Sequence, residues 1–164
     1  MINAPFYDPY IALVNGSDVI SVLEEQMNST YELLSNIGED RGNYAYEPGK
    51  WTIKELVGHL ADSERIFGYR ALRFARKDKT ELAGYEQDDY VANSNFNERT
   101  LKDLAEELLS LRKSNLILFR SFTDDMLKLT GIANESEASV DALLFIIAGH
   151  EKHHINVIKE KYLN

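Results

Sequence analysis

Histidine is scarce in this chain and unevenly placed. Three of its four histidines fall within GHEKHHINVI, residues 149–158, and the fourth, His59, stands in VGHLADSE. His150 and His154 form an H-x-x-x-H pair, which on a helix stacks two imidazoles one turn apart and makes a recurring half-site for zinc and similar ions. His153 would point about 100° further round the same helix, toward solvent. The H-x-x-x-H spacing alone is a common coincidence. It gains weight if His59 reaches the same place, because three imidazoles can hold one divalent ion and leave a coordination position open for chemistry.

Two acids belong to the same question. Glu64 falls near the middle of an apolar helical face that includes Leu56, Val57, Leu60 and Phe67, and Glu151 near the middle of one formed by Val140, Leu143, Leu144, Ile147, Ile155 and Ile158. A carboxylate facing a core has to be paired, protonated or bound to metal. Each is therefore either a buried hydrogen-bond partner or part of the site. In the functional reading Glu64 is the catalytic residue, a general base beside an activated water, or else a further ligand. Glu151 and His154 also form an E-x-x-H, the half-motif of di-iron carboxylate bundles, but Glu55 and His59 are spaced E-x-x-x-H, so the second half is missing. The run RIFGYRALRFARK adds Arg65, Arg70, Arg73 and Arg76. It reads as a helix end matched to its dipole, or as an anion site for a substrate carboxylate.

The elements that must position these residues follow from apolar spacings of three and four. A first helix is predicted from a cap at Ser17 to about Ile37, stopping at Gly38. The second is KWTIKELVGHLADSERIFGYRALRFARKD, with Thr52 and Glu55 in capping-box register. The third runs from about Asn97 to Phe122 with Leu101, Leu104, Leu108, Leu111 and Leu118 in its stripe, and the fourth from about Ser139 to Tyr162. No segment alternates with period two for long enough to predict a strand. The connector TELAGYEQDDYVANSNF is long and polar; its extended reach, on the order of 50 Å, exceeds a helix of roughly 38 Å, so it can cross the bundle end to end. Helices two and three would then run parallel, in an all-α, up-down-down-up four-helix bundle. In that order helices two and four are antiparallel, and His59, roughly 10 Å from the start of one, reaches a depth similar to His154 and His150, roughly 12 and 18 Å from the end of the other.

The whole chain narrows the function classes. A single domain, residues 1–164, suits this length. The formal charge of −9 repels phosphate backbones and anionic lipid heads, so neither nucleic acid nor membrane is expected as a partner. No cysteine is present, which excludes disulfides, thiolate ligands and a cysteine nucleophile. No targeting segment or membrane-length apolar run is visible, so a cytoplasmic protein is expected. Tyr7, Tyr10, Tyr44 and Tyr46 lie outside the long helices and suggest apolar surface that a homodimer could cover.

Together, PGKWTIKELVGHLADSERIFGYRALRFARKD, the connector segment GYEQDDYV and the late GHEKHHINVI resemble the DinB/YfiT-like superfamily in type and order, over roughly residues 15–162. The resemblance implies a four-helix bundle with a long crossover and a three-histidine site for zinc, nickel or a related ion, carried here by His59, His150 and His154. It also implies a metal-dependent enzyme acting on a small molecule, a hydrolase or a transferase or isomerase using a low-molecular-weight thiol. The competing reading is a non-catalytic binding or dimerising module whose metal is structural or absent. A fourth metal position closed by Glu64 or Glu151 would favour that module, whereas an open one favours the enzyme.

Overall fold

Three of the four long helices start where a short polar side chain captures a free backbone N–H, and the last starts at Ser139 without such a bond. In this computed structural model, which describes residues 1–163, α1 is the short Asp8–Ala12 and α2 is Val19–Ser35. The α2 cap is Asp18 rather than Ser17, its carboxylate accepting from Ser21 N at 3.2 Å. α3, Ile53–Ala75, opens with the predicted capping box: Glu55 N donates to Thr52 Oγ1 at 3.1 Å and Thr52 N to Glu55 Oε2 at 2.7 Å. α5, Leu101–Phe119, begins at Thr100 and is about a turn shorter at each end than its apolar pattern suggests. α7, Val140–Val157, continues as a wider π-type turn through Tyr162.

Contacts between these helices fix their directions. Between α3 and α5, Thr52 meets Asn97, Glu64 meets Arg112 and Gly68 meets Asn115, so the two run parallel. Between α3 and α7, the Tyr162 hydroxyl donates to Trp51 O and His59 lies against His150 and His154, so these two are antiparallel. α2 meets α5 head to tail, through Leu23 with Arg112 and Glu39 with Leu101, and runs alongside α7, through Gln26 with Ala148 and Thr30 with Glu151. The crossover from α3 to α5 is not structureless. It carries α4, Gln87–Ala92, and Leu82 is pinned by a bond from its N to Ile132 O at 3.0 Å.

One expectation is corrected. Before α7, and after the short α6 at Asp124–Leu127, lies an antiparallel hairpin of β1, Thr130–Ala133, and β2, Ser136–Ser139. Its two-residue turn, Asn134 and Glu135, has positive φ at both positions, the backbone that suits a tight hairpin. Four-residue strands rich in Ser, Ala and Gly carry too little period-two signal to be read in advance, and the turn lacks its usual glycine. The tyrosines outside the long helices make ring contacts within the chain: Tyr7 packs on Phe67, Tyr10 on His150, and Tyr44 and Tyr46 on Tyr162.

The core falls into two apolar clusters. One gathers Leu23, Phe67, Phe74, Leu116, Leu143 and Ile147; the other gathers Leu34, Leu56, Leu60, Leu104, Leu108 and Ile158. Between them, at mid-bundle, each long helix contributes polar side chains: Thr30, then His59, Ser63 and Glu64, then Arg112, then His150, Glu151 and His154. A layer this costly to bury has to be internally satisfied.

Candidate metal centre

His59 projects from the second turn of α3, and His150 and His154 from successive turns of α7, which brings the three onto one level. His59 and His150 are buried and His154 half-buried, while His153 is exposed. The three imidazoles meet through Nε2: His59 to His150 and His154 to His150 are both 3.1 Å, and one ligand atom from each residue lies within 4.8 Å of the others. Their rings stand edge to face.

Neutral imidazoles alone satisfy this arrangement poorly. Each Nε2 carries either one proton or one in-plane lone pair, so His150 Nε2 cannot make two well-aligned hydrogen bonds, one to each neighbour. A cation among the three satisfies all of them. For a tetrahedral zinc ion with Zn–N near 2.0–2.1 Å, two ligand nitrogens stand about 3.3 Å apart, close to the spacing found. The charge state fits as well. Burial lowers His59 to about 4 and His154 to about 3, and pushes His150 well below its ordinary value, with the neighbouring imidazoles adding to the effect. All three are then neutral at pH 7, as ligation requires.

Aromatic rings enclose the trio, with Trp51 against His59 at 4.8 Å between centroids, Tyr10 against His150 at 5.4 Å and Phe67 against His150 at 6.4 Å. On the open side His150 borders a cleft of about 350 Å³. The N-terminal segment supplies Tyr7 and Tyr10 to it, the crossover Tyr85 and Gln87, and the hairpin Asn134 and Ser136. None of these connecting segments could be placed from the sequence. Burial raises the Tyr85 phenol, whose hydroxyl shares a hydrogen bond of 2.9 Å with Ser63 Oγ at the cleft wall.

Glu64, the expected general base, lies in a buried ion-pair network. Its Oε1 accepts from Arg112 Nε at 2.9 Å and from Asn115 Nδ2 at 2.9 Å, and its Oε2 from Arg112 Nη2 at 2.9 Å. Arg112 also bonds Glu151 and donates to Leu23 O, and Thr30 Oγ1 donates to the other Glu151 oxygen at 2.5 Å. Both carboxylates are thus paired, joined by one guanidinium beside the histidines. Sequence reading missed Arg112 because the α5 stripe was drawn through Leu111 and Leu118; the buried face runs through Leu108, Arg112, Leu116 and Phe119. The available signal was two core-facing acids with no cation assigned to them. Of the arginine cluster, Arg73 closes on Asp78 and Tyr69 and Arg65 on Glu107, whereas Arg70 turns inward.

A bundle of this topology with three histidines converging at mid-height defines a recognisable class, and the chain belongs to the DinB superfamily, whose model matches residues 23–158. It is 25% identical over 146 residues to a candidate metal-dependent hydrolase of Oceanobacillus iheyensis, covering 84% of this chain and 79% of that one. Its fold is similar to that of YfiT from Bacillus subtilis, described as a probable metal-dependent hydrolase with an unusual four-helix bundle topology. That match has a TM-score of 0.77 at 21% identity, covering 87% of this chain and 82% of that one.

Proposed function

We propose that the protein holds one divalent metal ion, zinc or nickel, on Nε2 of His59, His150 and His154, and hydrolyses a small molecule bound in the adjoining cleft. The observation that carries this reading is the double approach to His150 Nε2 at 3.1 Å, which a shared cation explains and hydrogen bonding does not. Such an ion, when bound, supplies Lewis acidity and a nucleophile at neutral pH. The protein's own residues bind and orient: the rings of Tyr7, Tyr10 and Phe67 exclude water from one wall, and the Tyr85 hydroxyl offers a proton donor on another. Glu64 and Glu151 are both committed to Arg112, so neither closes the fourth position, which favours an enzyme over a structural metal site. The names of both relatives, each called a metal-dependent hydrolase, point the same way.

A low-molecular-weight thiol could take the same open position, making the reaction a thiol transfer. Untagged protein, assayed for metal content and then against ester, amide and lactone panels with and without added thiol, separates these readings. Turnover that needs the metal and no thiol supports hydrolysis, turnover only with thiol replaces it by transfer, and protein without histidine-bound metal removes both.

A further inference from the structure

Among the described residues the buried cationic side chains are Lys54, Arg70 and Arg112. Lys54 pairs with Glu39 at 2.8 Å, and Arg112 with Glu64 and Glu151. Arg70, only 4% exposed, has no carboxylate of the described residues within ion-pair distance. Its guanidinium has one acceptor, Ala83 O at 3.0 Å from Nη2, and the Phe67 ring 5.4 Å below its Cζ. Burying a guanidinium without a counter-charge is expensive, and one carbonyl with one aromatic face offsets only part of that cost. The rest of the fork is not sealed in the core: no Arg70 nitrogen is among the buried polar atoms lacking a partner. It opens into a second pocket of about 410 Å³, walled by Ile66, Tyr69, Leu82, Tyr85 and Tyr90.

This pocket adjoins the metal centre's cleft. Tyr85 forms a wall of both, and Phe67 carries Arg70 against its ring while lying 6.4 Å from the His150 ring. The guanidinium and the His150 ring are thus no further apart than those two distances combined, within the span of one small molecule.

We propose that the Arg70 pocket receives the carboxylate of an aromatic or similarly flat apolar substrate, whose reacting end lies at the three histidines; only that last placement rests on the metal reading. The pocket's other arginine, Arg65, is engaged with Glu107 at 2.6 Å and Asp62 at 3.9 Å, so Arg70 alone offers a free fork; a carboxylate matches that two-pronged fork, whereas a phosphate dianion calls for more donors and meets stronger repulsion from a chain of net charge −9. The tyrosine walls suit a planar body.

The test uses benzoate and its neutral isostere benzamide as probes, titrated calorimetrically into metal-loaded and chelator-stripped protein. Wild type should bind benzoate at least about tenfold more tightly than benzamide, the scale of a charge-assisted hydrogen bond. Arg70→Gln should abolish that preference and leave benzamide unchanged, and Arg70→Lys should keep part of it. Tyr90, 48% exposed at the rim, provides a variant that leaves the core intact: Tyr90→Asp removes one wall for both probes and adds a like charge for one, so it should weaken benzoate by a larger factor than benzamide. Because the pocket holds its own counter-charge, the preference should survive metal removal. No preference in wild type, a preference that persists in Arg70→Gln, or one that disappears with the metal would each overturn the proposal. The last would show the carboxylate sitting on the ion, leaving the metal reading itself intact.

Discussion

Four histidines that composition treats alike should separate under mutation. His59→Ala, His150→Ala and His154→Ala each remove one of three converging nitrogens, so each should lower metal affinity by one to two orders of magnitude or more, while His153→Ala should keep about one ion per chain. Bound metal in the four purified variants decides this; loss of metal in His153→Ala with retention in His150→Ala would refute the assignment. Arg112 makes a second residue-scale case. Arg112→Met strands two buried carboxylates and should destabilise the fold by about 3–5 kcal/mol, read as a shifted urea midpoint. Adding Glu64→Gln and Glu151→Gln should recover part of that, since what costs most is the unpaired charge. At this scale the sequence pointed to the histidines, because scarcity and spacing are visible in one dimension. It could say that Glu64 needed a partner but could not name Arg112, 48 residues away in the chain.

At the scale of elements, the polar layer depends on how closely its neighbours approach. Gly149, next to His150, packs under the backbone of α1, and a Cβ there would collide with the Tyr10 carbonyl. In an ordinary helix interior Gly→Ala stabilises by about 0.5–1 kcal/mol. Gly149→Ala should instead lower the melting temperature and shift the Tyr10 ring away from His150; a more stable variant would show that α1 is not held against the site. Legibility also varied by element. The capping box of α3 was plain because its signal is local, a threonine and a glutamate three apart. The hairpin at 130–139 was invisible because it is held by Leu82 of the crossover and covered by Phe74, neither of which is near it in sequence.

For the whole molecule, the histidines tie folding to both pH and metal. In the metal-free protein burial holds His59 at about 4 and His154 at about 3, against an ordinary value of 6.5. Between those limits the unfolded chain takes up protons that the native state refuses, so stability is complete above about pH 6.5 and falls as the pH drops toward 4. Urea midpoints of the metal-free protein should decline steadily between pH about 7 and about 4.5, and a flat profile would contradict the burial of the trio. Added zinc or nickel should raise the midpoint at neutral pH by mass action and lose that effect as the ligands protonate. The expected homodimer is checked by light scattering at micromolar concentration, where a monomer mass would refute it. No helix among the described residues is long and apolar enough to cross a membrane. What the sequence by itself determined were the features carried by short-range period and composition: four long helices, a crossover long enough to let two of them run parallel, and an acidic chain with three histidines at matching depth. Only the tertiary structure decided which carboxylates are spent on Arg112, which arginine is buried without a counter-charge, and which connecting segments wall the cleft, because each depends on contacts between residues far apart in the chain that no local pattern encodes.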